Sequence, residues 1–97
     1  MRIQLERTGG VAGIRIRRCI DSAELSRDEA KKLEDMLRKS RFYELAAEMK
    51  SAAPGIDRFN YRITIEAAGA TRTVEAGEAA VPESLRPLLH WIESRRR

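Results

Sequence analysis

The sequence predicts an α+β fold: a four-stranded antiparallel sheet with two main helices packed on one face, in the order β-β-α-β-β-α. Three observations lead there. Four stretches alternate apolar and polar residues with a period of two, the mark of half-buried strands, and two further stretches carry apolar residues at helical spacing. Glycine-containing turns separate the strands in pairs. The chain has 97 residues, so one domain spanning 1–97 accommodates every element. A hydrophobic fraction of 42% is enough to offset the ordering of a chain this short.

The first strand is Arg2–Arg7, with Ile3 and Leu5 on one face and Arg2, Gln4 and Glu6 on the other. Thr8-Gly9-Gly10 follows, and glycine pairs supply the positive φ that tight hairpins need. In the second strand, residues 11–20, Ala12, Ile14, Ile16 and Ile20 share the apolar face, while Arg15, Arg17 and Cys19 point away. Arg18 falls on the apolar side, where its stem can lie on the core edge and its head reach water. Ser26 to Glu29 forms a capping box, in which hydroxyl and carboxylate each satisfy an orphan backbone donor and start a helix. Ala30, Leu33, Met36 and Leu37 are its inner stripe, and Asp28–Lys32, Glu34–Arg38 and Asp35–Lys39 are i,i+4 pairs on its wet side. Phe42 and Leu45 lie just beyond, on a second short helical turn reaching to Met49.

Residues 51–57 read as a loop, in which Pro54-Gly55 suits the centre of a type II turn. In the third strand, residues 58–67, Phe59, Tyr61, Ile63, Ile65 and Ala67 alternate against Arg58, Asn60, Arg62, Thr64 and Glu66, which assigns Phe59 and Tyr61 to the core. Ala68-Gly69 turns the chain into a fourth strand over 70–76. The last helix starts at Pro82 or Ser84, with Leu85, Leu88, Leu89 and Ile92 inward and Trp91 at the margin. Proline is tolerated only in the first helical turn, so Pro87 favours Ser84 as the N-cap. Arg95, Arg96 and Arg97 then complement the negative end of that helix.

The residues that carry chemistry are sparse. A zinc site needs about three or four ligands; one His and one Cys, on different elements, exclude a metal centre and give no reason to expect a cofactor. A nucleophile–base pair of Cys19 and His90 lacks any third group to orient it. The acids sit mainly on helix surfaces beside basic partners, and Gly9-Gly10 lies between strands rather than before a helix, so it forms no phosphate cradle. The chain is therefore expected to bind rather than catalyse. No apolar run approaches the ~20 residues that cross a bilayer, so no membrane is implied. The N-terminal residues do not resemble a signal peptide, and a single cysteine fits a reducing, cytoplasmic setting.

A formal charge of +4 favours acidic partners in general. Arg15, Arg17, Arg58, Arg62 and Arg72 on the sheet raise nucleic-acid binding as a reading, but it ranks second. Nucleic-acid-binding sheets offer aromatics for base stacking, and Phe59 and Tyr61 share the phase of the core. Two segments remain that stability alone does not require, Thr8 to Val11 and Pro54 to Arg58, and both are loops, where binding residues concentrate. Ile56, an apolar residue beside Pro-Gly in a polar loop, is suited to outward presentation.

Three motifs, in order along nearly the whole chain, carry a family resemblance: Arg7-Thr8-Gly9-Gly10 followed by Ala12-Gly13-Ile14-Arg15; Pro54-Gly55-Ile56-Asp57-Arg58-Phe59-Asn60-Tyr61; and Val81 to Leu88 followed by His90-Trp91-Ile92. Together they resemble the emfourin family, protein inhibitors of thermolysin-like metalloproteases. The resemblance implies a compact α+β inhibitor that blocks the active-site cleft of a protease partner sterically, without catalysis; the open sheet face and edge strands separately leave the expectation of a monomer or weak dimer. The partner-binding residues it implies are Gly9, Gly10, Val11, Pro54, Gly55, Ile56, Asp57 and Arg58.

Overall fold

A computed structural model describes residues 1–9, 14–50 and 59–95. The fold is α+β, with elements β1 (Arg2–Gly9), β2 (Ile14–Asp21), α1 (Arg27–Ser40), β3 (Glu48–Met49), β4 (Phe59–Ala67), β5 (Ala70–Gly77) and α2 (Arg86–Ser94). β1 and β2 pair as the expected antiparallel hairpin, with Ile3 opposite Ile20 and Gly9 opposite Ile14. β4 and β5 form a second hairpin. Its two turn residues, Ala68 at φ 52° and Gly69 at φ 78°, both adopt the left-handed backbone that this turn demands.

The sheet differs from the expected four antiparallel strands. It is five-stranded and mixed, in the order β2-β1-β4-β5-β3, because Glu48–Met49 runs parallel to β5 at Glu75 and Ala76. The second helical turn expected there stops early. Arg41 closes α1 in the left-handed region at φ 54°, a single 3-10 turn covers Phe42–Glu44, and the chain then extends. The Glu75 N–H donates to the Ala47 carbonyl at 2.8 Å, which holds the extended segment against β5. That turn still performs the packing expected of it, since Phe42 is completely buried.

Both helices cover one face of the sheet. Ile3 and Leu5 of β1, Ile20 of β2, Ile63 and Ile65 of β4, and Val74 and Ala76 of β5 are buried in one cluster with Leu33 of α1 and Leu88, Leu89 and Ile92 of α2. Burying an aliphatic side chain of this kind contributes about 1.5–3 kcal/mol against the ordering cost of the chain. The capping box at α1 forms as read: the Glu29 N–H donates to the Ser26 hydroxyl at 3.1 Å, and the Ser26 N–H donates to Glu29 Oε1 at 3.2 Å. On its wet side Asp35 gathers both Arg38 and Lys39.

The start of α2 is a correction. Ser84 does not cap it. Residues Glu83–Leu85 form a 3-10 turn first, Leu85 is the N-cap, and no side chain caps the helix. Leu85 has to reach the centre of the core, where it is fully buried, and the tighter turn delivers it there. The Ser84 hydroxyl is thereby turned to the Ser40 carbonyl at 3.4 Å, while Pro87 lies in the first turn of α2 as its missing N–H requires.

Candidate functional site

Strand order determines what meets at the end of the sheet. β1 lies between β2 and β4, so Gly9 is opposite both Ile14 and Phe59. Residues 10–13, which join Gly9 to Ile14, and residues 51–58, which lead into Phe59, therefore attach to the sheet at adjacent positions. β3 runs parallel to β5, so Met49, opposite Ala76, and Gly77, opposite Asn60, lie at this same end. Of the residues expected to bind a partner, Gly9 is described: its φ of 112° is one that a side chain disfavours, which explains glycine there. Gly10, Val11, Pro54, Gly55, Ile56, Asp57 and Arg58 lie outside the described residues.

Beneath this end sits a cluster that the sequence reading missed. Arg7, on the helix-facing side of β1, pairs with Glu93 of α2 at 2.5 Å, and its guanidinium carbon lies 4.8 Å from the centre of the Phe59 ring. Arg7 is in register with Tyr61. Phe59 and Tyr61 do face the helices, as their phase requires, but both are half-buried rather than core, because Arg7 and Glu93 occupy the edge of that layer. Burial and the Glu93 carboxylate raise the Tyr61 hydroxyl above its usual pKa, and nearby Arg7 opposes them. The signal was legible in two phases: Arg7 continues the odd-numbered series of Ile3 and Leu5, and Glu93 lies one turn beyond Leu89.

A second cation braces the same, C-terminal end of α2. Arg95 stacks on Trp91 at 4.8 Å and bonds Glu29 Oε2 at 2.7 Å, tying α2 to the start of α1. The Arg95 guanidinium, with Ser26, holds the Glu29 carboxyl below its usual range.

The open face of the sheet carries a single row of alternating charge across four strands: Arg17, Glu6, Arg62 and Glu75 stand directly opposite one another in register. Arg17 bonds Glu6 at 3.0 Å and Arg62 bonds Glu75 at 2.8 Å, with Arg62 to Glu6 at 4.0 Å closing the row. The Arg17 hydrogen bond is the main reason the Glu6 carboxyl lies below its usual range. Arg72, expected on this face, is on the other: it is opposite Ile65 and donates to the Leu45 carbonyl. Arg58 lies outside the described residues. Arg15 is exposed at the start of β2, beside residues 10–13. Next to the row, a shallow depression of about 250 Å³ lies toward the same sheet end, lined by Thr8, Met49, Asn60, Arg62, Glu75 and Gly77 among others.

Cys19 is exposed on the open face of β2, whereas His90 is exposed on α2, which packs on the opposite side of the sheet. The two do not face one another. Among the described residues no group of three or more His, Cys, Asp or Glu could hold a metal ion. Among them also, no helix is long and apolar enough to cross a membrane.

Comparison with known proteins gives one match. A family model described as Emfourin matches residues 5–93, nearly the whole chain. No curated protein and no solved structure matches it.

Proposed function

This chain belongs to the emfourin family, and on that premise we propose that it is a protein inhibitor of a thermolysin-like zinc metalloprotease, blocking the active-site cleft sterically with the segments around Gly9 to Val11 and Pro54 to Arg58. The family match runs from Leu5 in β1 to Glu93 in the last turn of α2, so it takes in both segments. The observation that carries the reading beyond membership is the pairing of Gly9 with both Ile14 and Phe59, which roots the two segments side by side.

The proposed mechanism is steric rather than chemical. Roots fixed in a hydrogen-bonded sheet reduce the freedom lost on binding, which favours slow dissociation. Ile56 fills an apolar pocket of the cleft. Arg58 and the exposed Arg15 meet acidic groups at its rim, where complementary charge speeds encounter. Within these segments Asp57 is the one carboxylate that could reach a zinc ion, so occlusion rather than chelation is the principal mode. The single exposed cysteine accords with a reducing compartment, and we place the protein in the cytoplasm.

Titration of a thermolysin-like protease with the purified chain tests this reading, with loss of activity expected near one equivalent. Ile56→Asp should weaken inhibition at least a hundredfold while leaving the unfolding midpoint unchanged. Nucleic-acid binding, the second reading, has less support than the arginine count implied, because Arg17 and Arg62 are engaged by Glu6 and Glu75 and Arg72 faces the helices. Salt-sensitive retention of RNA or DNA without protease inhibition would reverse that ranking.

A further inference from the structure

We propose that the free edge of β2 pairs with the same edge of a second copy of this chain, antiparallel over residues 17–21, about a two-fold axis at Cys19. The pairing is independent of the inhibitor reading, because Gly9 and Ile14 lie toward the other end of the β1–β2 ladder.

The edge is open and of useful length. β2 has eight residues and stands at one margin of the sheet, whereas β3 at the other margin has two. The Ser22 N–H donates to the Met1 carbonyl at 2.9 Å, which makes these two a hydrogen-bonded pair. Such pairs alternate along an antiparallel ladder. Ile20, Arg18 and Ile16 therefore turn their backbone groups to β1, while Arg15, Arg17, Cys19 and Asp21 turn theirs outward. Carried across the sheet, the same alternation sends the Glu75 N–H away from β4, and it does meet the Ala47 carbonyl on the far side. Outward backbone groups on an edge are a template for another strand.

Charge selects the register. Outward residues must meet outward residues, so within residues 15–21 a two-fold axis falls at a residue. At Arg15, Arg17, Arg18 or Asp21 it sets a charge against its own copy, and at Ile16 it sets Arg15 against Arg17. Like charges directly opposite destabilise a strand pair. At Ile20 it pairs residues 19–21 alone and matches no opposite charges. At Cys19 it sets Arg17 of each copy against Asp21 of the other, and no like charges meet.

The whole open face obeys the same symmetry. The row Arg17, Glu6, Arg62, Glu75 reaches the edge as a cation. The row Asp21, Arg2, Glu66 reaches it as an anion. An axis at Cys19 joins the end of each row to the end of the other row in the second copy, so sign alternates unbroken from Glu75 of one copy to Glu66 of the next. Between them the uncharged row of Cys19, Gln4, Thr64 and Thr73 meets its own counterpart. This is the self-complementarity that a two-fold contact needs. Both ion-pair members have capacity left. Asp21 Oδ1 accepts the Ala23 N–H at 3.0 Å, and Arg17 bonds Glu6 through Nη2, one of several guanidinium donors. The contact is a single strand wide, so association is weak and reversible. The strands run oppositely, so the Gly9 and Phe59 ends of the two copies point away from the axis and stay uncovered.

Sedimentation equilibrium of the full chain under reducing conditions tests the pairing, with the mass rising reversibly from one chain toward two as concentration is raised. Arg17→Glu and Asp21→Lys should each weaken association at least tenfold, because each alone sets like charges opposite twice. An equimolar mixture of the two should restore it: the introduced carboxylate then faces the introduced ammonium, and the native Asp21 of one chain faces the native Arg17 of the other. A second readout uses Cys19. Opposite Cα atoms of a hydrogen-bonded antiparallel pair are ~5.5 Å apart, within the span of a disulfide. Diamide, which takes up the two thiol hydrogens as the S–S bond forms, should cross-link wild type at least tenfold faster than Cys19→Ser combined with Gln4→Cys, whose thiol lies one strand in from the edge. A single-chain mass at every concentration overturns the proposal. So does a dimer that the mixed variants fail to restore, or cross-linking through Cys19 no faster than in the control. If either charge variant does not melt cooperatively, the cross-linking comparison decides.

Discussion

Glu29 serves two partners at once: Oε1 accepts the Ser26 N–H and Oε2 binds Arg95. Glu6 likewise stands between Arg17 and Arg62. In both, the charged form is favoured in the folded state, so the carboxyl is held below its usual range. The consequence for stability has a definite sign. Their contribution is present above the unfolded carboxylate pKa and is lost as pH falls through that range toward the lower folded values. Tyr61 acts at the other extreme. Its folded pKa is raised, so the unfolded chain loses that proton first, and stability declines as pH climbs through the ordinary tyrosine range. Thermal midpoints across pH should show a plateau with both shoulders. Glu29→Gln with Glu6→Gln should flatten the acid shoulder, and Tyr61→Phe the alkaline one. At this scale the capping box was legible because its spacing is local, Ser26 to Glu29. The Arg7–Glu93 pair joins residues that only the tertiary fold brings together, so alternation could place Arg7 on the inner face but could not name its partner.

Among the elements, those built on regular periodicity formed as expected and the irregular ones did not. Eight- and nine-residue strands repeat their alternation often enough to be recognised. β3 has two residues, too few for an alternation to repeat, and so resembled an extension of the preceding helical turn. At α2 the sequence offered Ser84 as a conventional cap, but the requirement to bury Leu85 overrode that local preference. The β4–β5 turn shows a remaining misfit. Ala68 takes φ 52°, a conformation that costs an ordinary L-residue about 1–2 kcal/mol and asparagine or glycine less. Ala68→Asn should accordingly stabilise the domain by roughly 0.5–1 kcal/mol, a rise of about 2–8 °C in the unfolding midpoint, readable by a thermal melt. The turn lies at the far end of β4 and β5 from Gly9 and Phe59, so inhibition should be unaffected.

The whole molecule is polarised. One face of the sheet is covered by helices, the other carries a row of paired charge, and one end gathers the roots of residues 10–13 and 51–58. The candidate binding residues were proposed from the family resemblance, in two segments that the alternation of the strands left as loops. What the sequence could not supply was that the two segments attach to the sheet at neighbouring positions, Gly9, Ile14 and Phe59, because that follows from β1 lying between β2 and β4, a matter of strand order rather than of any residue. The arginine-rich sheet face shows the same limit: composition counts cations, while the register shows Arg17 and Arg62 matched to Glu6 and Glu75. The account's central claim is that this sheet end occupies a protease cleft, and the most direct measurement is the titration of a thermolysin-like metalloprotease by the full chain and by Ile56→Asp. The account predicts activity falling to baseline near one equivalent of wild type and persisting with an equal amount of the folded variant. Undiminished activity at large excess of wild type, across several such proteases, would contradict it.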